Sequence, residues 1–131
     1  MRRLLDPRIR ATCLVLWCVA WLLVAVGLLM PVPVSTPGRF DLVAHFAIFG
    51  IMAFGAVGFC RQPVQLLGLT FLTMAGAAAL EFAQHLLPYR SFDLVDLAAN
   101  TLGALTGYTL ALAVLVLVIR PADAALRGAR G

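Results

Sequence analysis

Asp41, His45, Glu81, His85, Asp93 and Asp96 are the side chains of this 131-residue sequence whose types and spacing could do chemistry. Asp41 and His45 are four apart and share one face of a helix. Glu81, Gln84 and His85, at offsets of three and four, share another. Asp93, Asp96 and Asn100 continue through Gly103 and Gly107 at offsets of three, four, three and four, which is one stripe on a third helix. Carboxylates beside an imidazole are the groups of general acid–base work. In such a site Glu81 or His45 would act as base or acid. Arg90 would orient an anionic group, and Asp96 and Asn100 would hold the geometry. Aspartate and histidine also suit a divalent metal and phosphoester chemistry. Their spacing matches no recognised metal motif, so neither a metal nor a cofactor is expected.

Each residue also has a purely structural reading. Asp93 fits an N-cap, with Asp96 favoured by the helix dipole, and Asp41 stands equally well in a first turn. His45, His85 and Gln84 fit polar contacts between membrane helices. Arg90 fits a headgroup anchor. Glu81 and Asn100 fit none of these roles. Glu81 lies seven residues before Pro88, about 10 Å along a helix axis, and a charge in a span is expensive.

The elements that must position these groups are membrane helices. The sequence is 63% hydrophobic and 12% charged, and a chain this short cannot hide that much hydrocarbon in a water-facing globule. A soluble enzyme, a disordered tail and a nucleic-acid module are thereby excluded. The formal charge of +4 comes from arginines at the edges of apolar runs, with no aromatic–basic surface for nucleic acid. Four spans of about 20 residues each account for the composition. They are expected at about 11–30, 41–60, 64–87 and 96–119, an all-α four-helix bundle forming one domain over 1–131. The first run is too long for a signal peptide and ends in Met30-Pro31-Val32-Pro33 without a cleavage site, so a retained helix is expected. Cys13, Cys18 and Cys60 form no CxxC pair and read as small core residues. The phenylalanines from Phe40 to Phe59 read as packing and lipid contact.

The arginines orient the bundle. With both termini cytoplasmic, Arg2, Arg3, Arg8, Arg10, Arg61, Arg120, Arg127 and Arg130 lie inside, and only Arg39 and Arg90 lie outside. The polar residues then gather at the outer end. Arg39 and Arg90 stand there against Asp41, Glu81, Asp93 and Asp96. A bare anion is therefore disfavoured despite the helix N-termini. The expectation is a polar pocket, open outward, where Glu81 meets Arg90, His45 and Asn100.

Asp41-x-x-x-His45-Phe46-x-x-Phe49, Glu81-x-x-Gln84, Pro88-x-Arg90 and Asp93-x-x-Asp96-x-x-x-Asn100-x-x-Gly103-x-x-x-Gly107 together resemble the VanZ-like family, named after a teicoplanin-resistance protein. The likeness covers about residues 41–107. It implies a small bacterial membrane protein tied to the cell envelope or to glycopeptide resistance. Its signature residues fall here on Asp41, His45, Glu81, Gln84, Arg90, Asp93, Asp96 and Asn100. Leu42 stands where the family often carries lysine, and His85 is outside the pattern. The implied partner is a membrane lipid, a lipid-linked molecule or an antibiotic at the outer face of the cytoplasmic membrane. The rival is a non-enzymatic assembly or regulatory protein whose polar cluster only ties helices together. A transporter fits poorly, since no repeat and no polar path toward the inner side is visible.

Overall fold

The computed structural model describes residues 6–31, 38–88, 93–121 and 124–125. Among them there is no strand, and four helices are long and apolar enough to cross a membrane. Helix α1 is Pro7–Leu29 and α2 is Gly38–Gly55, extended by a 3-10 turn, Ala56–Gly58. Helix α3 is Pro63–His85, and α4 is Leu94–Val114, running on through a π turn, Leu115–Ile119.

Local chemistry sets the boundaries and moves several from their expected positions. Helix α1 starts at Pro7 rather than Ala11. The Asp6 carboxylate accepts from the Arg8 N–H at 2.9 Å, and Pro7 occupies the first turn, where its missing N–H is harmless. Arg8 and Arg10 therefore lie inside the helix. Helix α2 starts at Gly38 and tightens into its 3-10 turn before Cys60. Helix α3 begins on Pro63, with Gln65 Oε1 accepting from the Arg61 and Gln62 N–H groups. It winds down before Pro88, which cannot continue it. Helix α4 starts at Leu94 because the Asp93 carboxylate caps Val95 N–H at 2.7 Å.

Phe46 lies against Gly103 and Gly50 against Gly107, so α2 and α4 run parallel in register. This is the closest backbone approach in the bundle. A Cβ on Gly103 would strike the Phe46 carbonyl, and one on Gly107 the Gly50 carbonyl. In lipid, where no hydrophobic force drives helices together, such contact between small residues supplies the packing energy. The buried face of α4 is Asn100, Gly103, Ala104, Gly107 and Ala111; it takes in the Asn100, Gly103 and Gly107 part of the expected stripe, whereas Asp93 is exposed and Asp96 half-buried.

Helix α1 is peripheral. It has the highest mean hydropathy of the four and contributes no buried residue, so its surface is available to lipid nearly all round. Specific contacts hold it. Trp17 donates to the Met52 carbonyl at 2.8 Å, Trp21 packs edge-on against Trp17 and lies over Gly76, and Arg10 donates to the Phe59 carbonyl at 3.0 Å. Of the three thiols only Cys60 is buried. Cys18 is exposed and Cys13 half-buried, because a helix that buries nothing has no core side for them. Phe49 is fully buried, whereas Phe40, Phe46 and Phe54 are exposed.

The core has two chemistries. Around Ala56, Val57, Cys60, Leu66, Ala111, Leu115 and Ile119 it is apolar. At the other end it holds His45, Glu81, Gln84 and Asn100.

Candidate functional site

The polar end is built by the first turns of α2 and α4 and the last turns of α3. Because α2 and α4 run parallel, both N-termini meet here, and their partial positive charge favours the acids of their first turns. Asp41 is in the first turn of α2 and Asp96 in that of α4, with Asp93 as the α4 cap.

Toward that end from the Phe46–Gly103 contact, His45 is the next residue on α2 and Asn100 stands one turn away on α4. The absence of a side chain at Gly103 lets α4 approach closely enough for His45 Nδ1 to reach Asn100 Oδ1 at 2.9 Å. The amide oxygen can only accept, so Nδ1 is the donor in this bond. The other ring nitrogen, Nε2, lies 3.7 Å from Asp41 Oδ1, with His45 2% exposed and the Asp41 side chain 41% exposed. The imidazole is thus fixed at one edge and open to carboxylates at the other. Asp96 completes a group with them: one ligand atom from each of Asp41, His45 and Asp96 lies within 4.8 Å of the other two.

Glu81 is 2% exposed and points into the bundle, not into lipid. Its Oε1 accepts from the Asp93 N–H at 3.2 Å, so the carboxylate of α3 satisfies a backbone donor at the start of α4. It also interacts electrostatically with His45, Asp96 and Asp93. Its hydrogen bond goes to a backbone amide that no side-chain pattern could announce. His45 and Asn100 bond to each other instead of to Glu81.

Gln84 is buried but turned toward α1, where Nε2 donates to the Leu28 carbonyl at 2.7 Å. It ties the last turn of α1 to α3. His85 is exposed. Arg90, expected beside Glu81, and the turn that contains it lie outside the described residues.

Three buried groups (His45, Glu81, Asn100) and three more exposed acids (Asp41, Asp93, Asp96) therefore come together from three helices. They form a packed cluster whose accessible edge is the carboxylates. Directly below, an apolar groove of about 310 Å³ runs along the α2–α4 seam between Phe46, Gly50, Phe54, Gly103, Gly107 and Leu110. The glycines that bring the helices together also leave this groove.

The residues of this cluster fall within the match to a known family. The family described as VanZ/LLP1 matches residues 19–118, which takes in the C-terminal part of α1, all of α2, α3 and α4, and the π turn as far as Val118. An uncharacterized protein of Schizosaccharomyces pombe, C11E3.10, is 32% identical over 77 residues, 56% of this chain and 44% of that protein. The matched part is thus less than half the length of that relative. No solved structure matches. A match over most of the chain, on four membrane-length helices, makes this a multi-pass membrane protein that belongs to the VanZ/LLP1 family.

Proposed function

We propose that the chain lies in the cell membrane with both termini cytoplasmic, and that its polar end binds the headgroup of a membrane lipid or lipid-linked molecule. The observation that carries this reading is the contiguity of two surfaces. The acceptor-rich cluster of Asp41, His45, Asp96 and Glu81 sits immediately above an apolar groove that starts at Phe46 and Gly103. One amphiphile fits both: its polar part meets the carboxylates and its chain lies in the α2–α4 groove. From Phe46 to Phe54 the groove follows eight residues, about 12 Å of helix, a length that suits an acyl or prenyl chain. Headgroups offering hydroxyl or ammonium donors match these acceptors, whereas a bare phosphate does not. Membership of a family named after a teicoplanin-resistance protein favours an envelope ligand.

Lipid binding to purified protein in nanodiscs, followed by native mass spectrometry, tests this. Glu81→Gln keeps an oxygen for the Asp93 N–H, so it should hold the melting temperature while weakening headgroup retention. Parallel loss of both would favour the second reading, a non-enzymatic assembly or regulatory protein. That reading is supported by the His45–Asn100, Glu81–Asp93 and Gln84–Leu28 bonds, each of which joins two segments of the bundle.

A further inference from the structure

We propose that Asp41, His45 and Asp96 together bind one divalent transition-metal cation, of the Zn²⁺ or Mn²⁺ class, at the headgroup end of α2 and α4. The ligand set on the page is one imidazole nitrogen and two carboxylate oxygens, all within 4.8 Å of one another. Metal–ligand distances of about 2.0–2.2 Å put ligands around one ion roughly 3–4 Å apart, so the cluster needs only a small closure. Asp41 and Asp96 stand on the first turns of their helices and are partly exposed.

His45 is 98% buried, the complement of its 2% exposure, and its Nδ1 is bonded to Asn100 Oδ1. Its Nε2 faces Asp41 Oδ1 across 3.7 Å, beyond hydrogen-bond distance, so the buried imidazole is held with that nitrogen turned to the carboxylates. Asn100 stands as the outer partner that fixes the ring and tautomer of a metal-bound histidine. One nitrogen with two carboxylates suits first-row metals, where magnesium or calcium would prefer oxygen alone. Two carboxylates and a neutral imidazole cancel the charge of a divalent ion, and three protein ligands leave a coordination position open.

That open position reverses the anion preference of the site. A phosphate of the headgroup, which bare carboxylates repel, becomes a ligand of the cation. This last step rests on the headgroup reading above, whereas the metal site does not.

The test uses full-length protein in detergent, stripped with chelator and titrated with Zn²⁺ or Mn²⁺ alone. Wild type should retain about one ion per chain after desalting and melt several degrees higher with it. Asp41→Asn and Asp96→Asn should each weaken metal binding about tenfold or more, while Asp6→Asn, at the opposite end, should bind as wild type. The ¹⁵N resonance of His45 Nε2 should shift on metal addition, a readout that needs no variant to fold. Failure of wild type to retain either metal, or undiminished binding in both aspartate variants, overturns the proposal. Lipid retention in nanodiscs of phosphatidylglycerol, with and without chelator, separates the two readings. Retention indifferent to chelator by a protein that binds no metal removes the cation alone. Stoichiometric metal with no lipid retention removes the headgroup reading alone.

Discussion

Glu81 and His45 are the side chains on which the chemistry of the polar end turns, and they are held differently. His45 is fixed by one side-chain bond, to Asn100 at 2.9 Å. Asn100→Leu should release the ring and leave a buried polar edge without a partner, at a loss of about 1–3 kcal/mol, seen as a lowered midpoint in detergent unfolding. Glu81 is fixed by a backbone amide, Asp93 N–H. Glu81→Leu deletes the acceptor, so amide exchange at Asp93 should quicken, whereas Glu81→Gln should leave it slow. Gln84 belongs to a third kind. Its bond to the Leu28 carbonyl makes it a fastening for α1, and Gln84→Leu should lower the melting temperature without changing headgroup or metal retention. Its type and offset from Glu81 were legible in the sequence. Its direction was not, because i, i+3 spacing puts two residues on a broad face that two neighbouring helices can share.

The pair α2–α4 is the element that makes the site possible. Gly103 and Gly107 carry no side chain against the Phe46 and Gly50 carbonyls, and this fixes how far His45 stands from Asn100. Gly107→Leu should force the helices apart and destabilise the bundle by at least about 1–3 kcal/mol. Because His45 adjoins Phe46 and Asn100 stands one turn from Gly103 on the same seam, metal and headgroup retention should fall with it, measured by unfolding and by ion content on one sample. Helix α1 presents the contrasting case. Trp17→Phe removes a single hydrogen bond to Met52, worth about 0.5–1.5 kcal/mol, and should leave the polar end untouched.

Across the whole molecule most of the described charges divide by end, with Asp6 on the arginine side. Arg8, Arg10, Arg61 and Arg120 lie at one end of the bundle, and Asp41, Glu81, Asp93 and Asp96 lie at the other. The proposed orientation, with the arginine end cytoplasmic, rests on the positive-inside tendency. Ser91→Cys, placed in the connection from α3 to α4 on a background with Cys13 and Cys18 replaced, should label with a membrane-impermeant maleimide from outside intact cells. Labelling only after lysis would invert the orientation. Cys60 can remain in that background. Burial raises its thiol above the ordinary pKa even though Arg10 and Arg61 pull it down, so little reactive thiolate forms.

Composition and spacing alone determined four membrane helices, the stripe from Asp96 through Asn100 to Gly107, and the gathering of acids and histidine at one end. These follow from local rules: the length a bilayer demands, the 3.6-residue turn, and the cost of a charge in hydrocarbon. Only the tertiary structure decided who bonds to whom. Glu81 found the Asp93 amide, Gln84 the Leu28 carbonyl, and Asp96 a place beside Asp41 and His45. Those choices depend on how the four helices are rotated and seated against one another. Rotation is set by contacts such as glycine on carbonyl and tryptophan on glycine, which join residues distant in sequence and leave no periodic trace in it.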